Sequence, residues 1–240
     1  DTGEGKMPEP EVLLSYILRE LAHEKDMKGL KVCVTAGPTR ETIDPVRFIS
    51  NRSTGKMGFA LAKNAMERGA DVTLVSGPVE LKDVPFVKMV HVESARQMFE
   101  AVTKEAETAD IIVKAAAVAD YRPAVVADEK IKKKDGDMSI ALERTDDIIG
   151  TLGKTKRDNL FLCGFSMETE HMLENSKAKL EKKNLDMIIA NNVKVKGAGF
   201  GTDTNVVTLI TKDEIKELPI MSKEDVADEI FNNILAKRKG

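Results

Sequence analysis

The run Val32-Cys33-Val34-Thr35 stops at Ala36-Gly37-Pro38, and an amphipathic stripe begins at Gly55 after a polar excursion over residues 38–54, seventeen positions. β-Branched apolar residues in a row mark a buried strand, and a glycine at its end frees the backbone to turn. From Gly55 to Arg68 the apolar residues Met57, Phe59, Leu61, Ala62, Ala65 and Met66 recur at helical spacing, and Gly69 follows in the position of a C-cap. Strand, loop and helix in this order commit the chain to a βα unit with a long loop at the strand's carboxyl end.

Gly37, Gly55 and Gly58 stand where a dinucleotide fold lets the backbone approach a phosphate and packs helix on strand. The helix start adds free N–H groups and partial positive charge for an anion. The excursion is too long for the compact G-x-G-x-x-G spacing. A Walker A loop is excluded as well, because Ser50 replaces its first glycine and Met57 follows Gly55-Lys56 where Ser or Thr should meet magnesium. The excursion carries Arg40, Glu41, Asp44, Arg47, Asn51, Arg52, Ser53 and Thr54. Two readings stay open on spacing alone: a ligand loop with its own polar chemistry, or the surface loop of a plain βα unit whose glycines serve packing.

The charges nearly cancel, 37 basic against 40 acidic among 240 residues, which argues against a general polyanion binder, so no nucleic acid is expected as a partner. No apolar run approaches the roughly 20 residues that span a bilayer. Cys33 and Cys163 each sit in an apolar strand-like run and read as small hydrophobes, while His23, His91 and His171 share no metal-ligand spacing. With no secretory or transit pattern in view, a cytoplasmic, soluble protein with no membrane partner is expected. The absence of an initial methionine suggests a fragment.

Along the chain, residues 11–23 carry Val12, Leu13, Ile17, Leu18 and Leu21 at helical spacing. A second strand is expected over 71–76, a third over 86–92, a helix capped by Ser94 to about 107, and a fourth strand over 110–115. Such alternation means an α/β fold with a doubly wound, mostly parallel, Rossmann-like sheet. The second strand ends in Ser76-Gly77, where an NAD-binding fold needs Asp or Glu for the ribose. Further strands are expected over 138–142, 160–165 and 187–190, a helix over 170–184, and a C-terminal β-hairpin over 206–219. Ser222 with Asp225 caps a last helix.

Ligands in such sheets bind beyond the carboxyl ends of the strands. The fourth strand ends in Lys114-Ala-Ala-Ala-Val-Ala-Asp120, where small residues permit close approach and a carboxylate waits beyond; tight packing with a turn-forming Asp is the other reading. Lys130-Ile-Lys-Lys-Lys134 beside Asp135-Gly136 is either a solvated hairpin edge or a lysine-bearing flap. No Ser-His-Asp or Cys-His set is legible. Chemistry here rests on positioning and charge stabilisation, as in a nucleotide-dependent transfer in which the substrate's carboxylate attacks a phosphate.

Six blocks then carry a resemblance: Thr35-Ala-Gly-Pro-Thr-Arg-Glu41, Asp44-Pro-Val-Arg-Phe-Ile-Ser-Asn51, Ser53-Thr-Gly-Lys-Met-Gly58, Ala115-Ala-Ala-Val-Ala-Asp-Tyr121, Glu129-Lys-Ile-Lys-Lys133 and Asn184-Leu-Asp186. In order and spacing they resemble phosphopantothenoylcysteine synthetase, a ligase of coenzyme A biosynthesis, over residues 31–240. Gly5-Lys-Met-Pro-Glu-Pro10 resembles the end of the decarboxylase domain that precedes the synthetase in the bifunctional bacterial protein, so residues 1–30 read as linker and tail, and FMN would belong to that other domain.

The resemblance implies that the carboxylate of 4'-phosphopantothenate attacks CTP with Mg2+ present, giving an acyl-cytidylate and pyrophosphate, and that L-cysteine then displaces CMP. It implies a homodimer, with Arg47 reaching across from a second subunit. Asn51, Ala116, Ala117 and Asp120 would meet phosphopantothenate or the activated carboxyl. Gly37, Ser53, Gly55, Gly58 and Phe165 would line the nucleotide, with Lys114, Ala115, Ala116, Asp120, Asp146, Asp147, Ile148, Ile149 and Asn191. Lys130, Lys179 and Lys183 would neutralise triphosphate charge, Lys130 acting in the transition state together with Asn51 as the catalytic pair. The resemblance assigns no metal ligands, magnesium being carried mainly by the triphosphate. Lys114 stands where a small residue is common in the family, and Thr145-Asp146 where Asn-Pro is frequent.

Overall fold

A computed structural model describes residue 5 and residues 7–133, 137–167, 171–191, 199 and 201–238. Helix α1 (Pro10–Leu21) precedes strand β1 (Lys31–Ala36), the short strands β2 (Arg40–Thr42) and β3 (Phe48–Ser50), and helix α2 (Lys56–Glu67). Strands β4 (Asp71–Ser76) and β5 (Lys88–His91) lead to α3 (Ala95–Ala106), β6 (Ile111–Lys114), β7 (Tyr121–Pro123) and β8 (Leu142–Arg144). Next come α4 (Ile148–Lys154), β9 (Phe161–Met167), α5 (Met172–Lys182) and β10 (Met187–Asn191). The chain closes with β11 (Thr204–Asn205), β12 (Val207–Ile210), β13 (Ile215–Glu217), β14 (Met221–Ser222) and α6 (Lys223–Arg238).

Eight strands form one sheet in the order β13-β12-β10-β9-β6-β1-β4-β5. From β5 to β10 every neighbouring pair is parallel, and β12 and β13 add the expected antiparallel hairpin at the edge. The sheet runs outward from β1 through β4 to β5 and resumes on β1's other side with β6, so the strand order reverses between β1 and β6. A crevice forms at such a reversal.

Both faces of the sheet are buried because successive side chains alternate. Val32, Val34 and Ala36 point to a core shared with Leu61 and Ala65 of α2 and Ile230 and Phe231 of α6, whereas Cys33 points to the core containing Met98 of α3, Leu152 of α4 and Leu180 of α5. The same split divides Ile111 and Val113 from Ile112, and Phe161 and Cys163 from Leu162. Burial pushes the Cys33 thiol up to about 12 and raises that of Cys163, as befits two small hydrophobes.

One expectation changes, and two features go beyond the sequence pattern. The helix expected over 11–23 forms as α1, no residue of it is buried, and it rests on the body through Tyr16 edge-on to Phe86 at 4.7 Å and Arg19 over the same ring at 4.8 Å. The strand expected over 138–142 lies instead at β8 and pairs antiparallel with β7, with Arg122 meeting Glu143 at 2.8 Å across the ribbon. Met138 and Leu142 are exposed, so the 138–142 alternation has no face to bury and cross-strand pairing sets the position instead. The Asp135-Gly136 turn lies outside the described residues. Finally, the excursion after β1 contains the β2–β3 hairpin, which the sequence reading missed.

The end of β4 is plugged. A Cβ on Gly77 would lie 1.7 Å from the Pro38 carbonyl oxygen, so the loop after β1 fills the ground where a dinucleotide ribose would sit.

Candidate active site

The reversal point is sewn together by main-chain and threonine hydrogen bonds. Ala117 N–H donates to the Gly37 carbonyl at 2.9 Å, and Pro38 bridges to Ala117 as a short parallel extension of β1 and β6. Ala116 N–H donates to Thr35 Oγ1 at 3.0 Å and Ala119 N–H to Thr39 Oγ1 at 3.0 Å, both threonines being fully buried. Asn51, just beyond β3, donates from Nδ2 to the Ala117 carbonyl at 2.8 Å. The alanines thus serve close backbone contact, as their size allows. Neither Thr35 nor Thr39 stood out in the sequence, since a lone threonine at a strand end has many uses.

Two cavities open on either side of this seam and share Phe165. The first, about 150 Å3, brings together Ser53, Gly55, Gly58, Ala115, Ala116, Ala117 and Asn191. Helix α2 points its amino end here, with Gly55 as N-cap and no capping side chain, so its first N–H groups carry the partial charge an anion meets. Gly58 seats that helix: a Cβ there would lie 2.5 Å from the Ala36 Cβ and 2.8 Å from the Thr35 oxygen. Gly37 sits behind this wall, against Val79 and Gly77. Asn191 Oδ1 is buried with no hydrogen-bond partner among the described residues.

The second cavity, about 460 Å3, gathers Lys114, Asp120, Asp146, Asp147, Ile148, Ile149, Lys179 and Lys183. Asp147 caps α4 through Gly150 N–H at 3.1 Å and pairs with Lys183 at 3.0 Å. Burial alone would raise that carboxyl, but the Gly150 N–H and the Lys183 ammonium outweigh it and hold it below the usual range. Burial pushes Lys114 down to about 8, aided by the charges of Lys183 and Lys179 and opposed by Asp120 and Asp147. Four cations, Lys114, Arg144, Lys179 and Lys183, and three carboxylates, Asp120, Asp146 and Asp147, line one half-enclosed space, which leaves it one positive charge in excess. Thr145 Oγ1 donates to the Ala119 carbonyl at 2.6 Å and so ties the loop after β6 to the entry of α4.

Lys130 and Arg47 line neither cavity. They face a third hollow with Lys132, Lys133 and Met138 on the flap between β7 and β8. Arg47 is held within its own chain by Asp44.

Lys223, at the start of α6, was missed. It is only 5% exposed, lines the first cavity, and donates to the Gly199 carbonyl at 3.0 Å and to that of Thr202. Its nearest sequence signal was the Ser222 cap, confirmed by Asp225 N–H donating to Ser222 Oγ at 3.0 Å. Among the described residues no group of three or more His, Cys, Asp or Glu could hold a metal ion, and no helix is long and apolar enough to cross a membrane.

Comparison with known proteins shows the family. The chain is 49% identical to the coenzyme A biosynthesis bifunctional protein CoaBC of Bacillus subtilis, over 99% of this chain and 59% of that protein. It is 42% identical to the CoaBC of Escherichia coli, again over 99% and 59%; the chain thus spans about three-fifths of these relatives. The crystal structure of the C-terminal domain of a CoaBC superposes with a TM-score of 0.76 at 44% identity, covering 89% of this chain and 97% of that one. The DNA/pantothenate metabolism flavoprotein from Streptococcus pneumoniae, 22% identical with a TM-score of 0.75, shares the fold over 87% of this chain and all of that one. Residues 27–237 match one family throughout, and the chain belongs to it: the DNA/pantothenate metabolism flavoprotein C-terminal domain.

Proposed function

We propose that this chain is the ligase that joins 4'-phosphopantothenate to L-cysteine in coenzyme A biosynthesis, through an acyl-cytidylate made from CTP. The observation that carries the reading is the lysine-rich second cavity abutting the Asn51–Ala117 seam, which sets an anion site beside a row of small residues able to admit a second substrate. Relatives spanning nearly the whole chain carry coenzyme A biosynthesis in their names.

In this reading the triphosphate lies against Lys114, Lys179 and Lys183, whose charge offsets that of the phosphates and of the leaving pyrophosphate. Magnesium would be carried by the phosphates; among the described residues no group of three or more His, Cys, Asp or Glu could hold it. The acid enters along Ala116 and Ala117, its carboxylate facing the α-phosphate across Phe165. Asn51 turns its amide to the new acyl group, while the flap closes with Lys130 and a second subunit brings its own copy of Arg47. No protein nucleophile is required, and both thiols are buried and protonated. A nicotinamide-dependent reductase finds its ribose ground occupied by Pro38.

The test is pyrophosphate release from CTP with 4'-phosphopantothenate, with and without cysteine, beside the same assay with ATP. Release that needs the acid, and amide formation that needs cysteine, support the ligase. Binding of CTP without turnover makes the chain a nucleotide sensor instead.

A further inference from the structure

We propose that Asp44 is a positioning residue of the reaction, holding Arg47 and the flap that bears Lys130 in one clasp; this rests on the ligase reading above. Asp44 is 1% exposed and accepts five N–H groups. Its Oδ1 takes Val46 N–H and Arg47 N–H, each at 2.9 Å, which closes the turn between β2 and β3. Its Oδ2 takes Arg47 Nε at 3.0 Å, Arg47 Nη2 at 2.5 Å and the N–H of Ile131 at 3.1 Å. Arg47 Nη2 also donates to the Ile131 carbonyl at 3.0 Å, and Ala127 N–H to that of Ile43 at 3.0 Å.

A carboxylate has about four lone-pair sites, so these contacts use its whole capacity. Arg47 above all, and the three backbone N–H groups with it, hold the carboxyl well below the usual range against the opposing effect of burial. A buried ion pair is a poor means of adding stability, because removing two charges from water costs about what their attraction returns. What it fixes is geometry. Ile131 adjoins Lys130, and the hairpin that Asp44 closes leads through β3 to Asn51 on the Ala117 carbonyl. One carboxylate therefore orients three residues assigned to the chemistry: Arg47 directly, Lys130 through its neighbour, and Asn51 through the hairpin.

The test replaces Asp44 with Asn in the full chain and reads two quantities. Trypsin cleavage after Lys130, Lys132 and Lys133, followed by mass spectrometry without nucleotide, reports flap anchorage. Pyrophosphate release from CTP reports chemistry, as kcat and KM separately. The expected result is cleavage faster by about tenfold and kcat lower by about tenfold or more, with KM for CTP within about threefold, because orientation is lost and not nucleotide contact. A merely structural residue would lower the active fraction without opening the flap. Should D44N fail to fold, Ile131→Pro removes the Ile131 N–H from the clasp; trypsin spares a Lys-Pro bond, so cleavage after Lys132 and Lys133 is read there and should show the same pair of changes. Unchanged cleavage, or faster cleavage with unchanged kcat, overturns the proposal. Absence of pyrophosphate release from the unaltered chain overturns the ligase reading instead, a failure the nucleotide-free cleavage assay tells apart.

Discussion

Asn51 and Ala117 are 66 residues apart in sequence, yet the Asn51 amide nitrogen lies 2.8 Å from the Ala117 carbonyl oxygen and donates to it. That bond fixes which end of the amide faces the seam: nitrogen inward, with the carbonyl oxygen turned away.

Asn51→Asp replaces this donor with a carboxylate facing a carbonyl oxygen, so the side chain must swing out. Amide formation with cysteine should fall about a hundredfold, and pyrophosphate release by no more than about tenfold, since a lost oriented donor costs roughly that in rate. Separate assays of the two half-reactions check it; equal loss in both removes Asn51 from the second step.

Lys114 should make nucleotide binding pH-dependent. Its pKa of about 8 lies below the 10.5 of an ordinary lysine, so the free site loses this ammonium as pH rises through about 8, and CTP affinity should fall there. Stability carries the opposite sign. Between about 8 and 10.5 the unfolded chain binds more protons than the folded one, so Lys114 makes the ligand-free fold more stable as pH rises. Lys114→Met should flatten both profiles, read by CTP titration and by thermal melts from pH 7 to 10.

Lys130→Gln tests the flap. Lys130 is exposed and away from both cavities, so Tm should change by less than about 1 °C while pyrophosphate release slows by about tenfold to a hundredfold. An unaltered rate would leave the flap lysine outside the chemistry.

Gly58→Ala should be costly for its size. The added methyl meets Ala36 Cβ and the Thr35 oxygen at distances real atoms do not share, so α2 must shift from β1. A loss of about 1–3 kcal/mol is expected in denaturant melts.

Much of the scaffold was legible because its rules are local. Unbroken burial from Val32 to Ala36, the Ser94 cap and the Ser222 cap all appear where sequence patterns put them. The α1 helix was legible, but its exposure was not, because periodicity reports amphipathicity and not what the apolar face meets. The β2–β3 hairpin was hidden for another reason: Asp44 and Arg47 in its turn are braced by Ile131 of the flap, 84 to 87 residues further along the chain. The residues expected to act together lie in two cavities and on a separate flap, a division that was not legible because it depends on how three loops lie across a sheet. Lys223 escaped for the same cause, its role being set by carbonyls twenty or so positions earlier.

The seam at the reversal point also fixes when the site can exist. Thr35 and Thr39 meet Ala116 and Ala119 across separations of 81 and 80 residues, so a nascent chain that has emerged only through β5 owns the glycine loop and the α2 terminus but no crevice. Capture of a nucleotide must wait for β6 to dock beside β1, a long-range closure that comes late in assembly. A ribosome-stalled chain ending before residue 110 should therefore be blind to its own substrate.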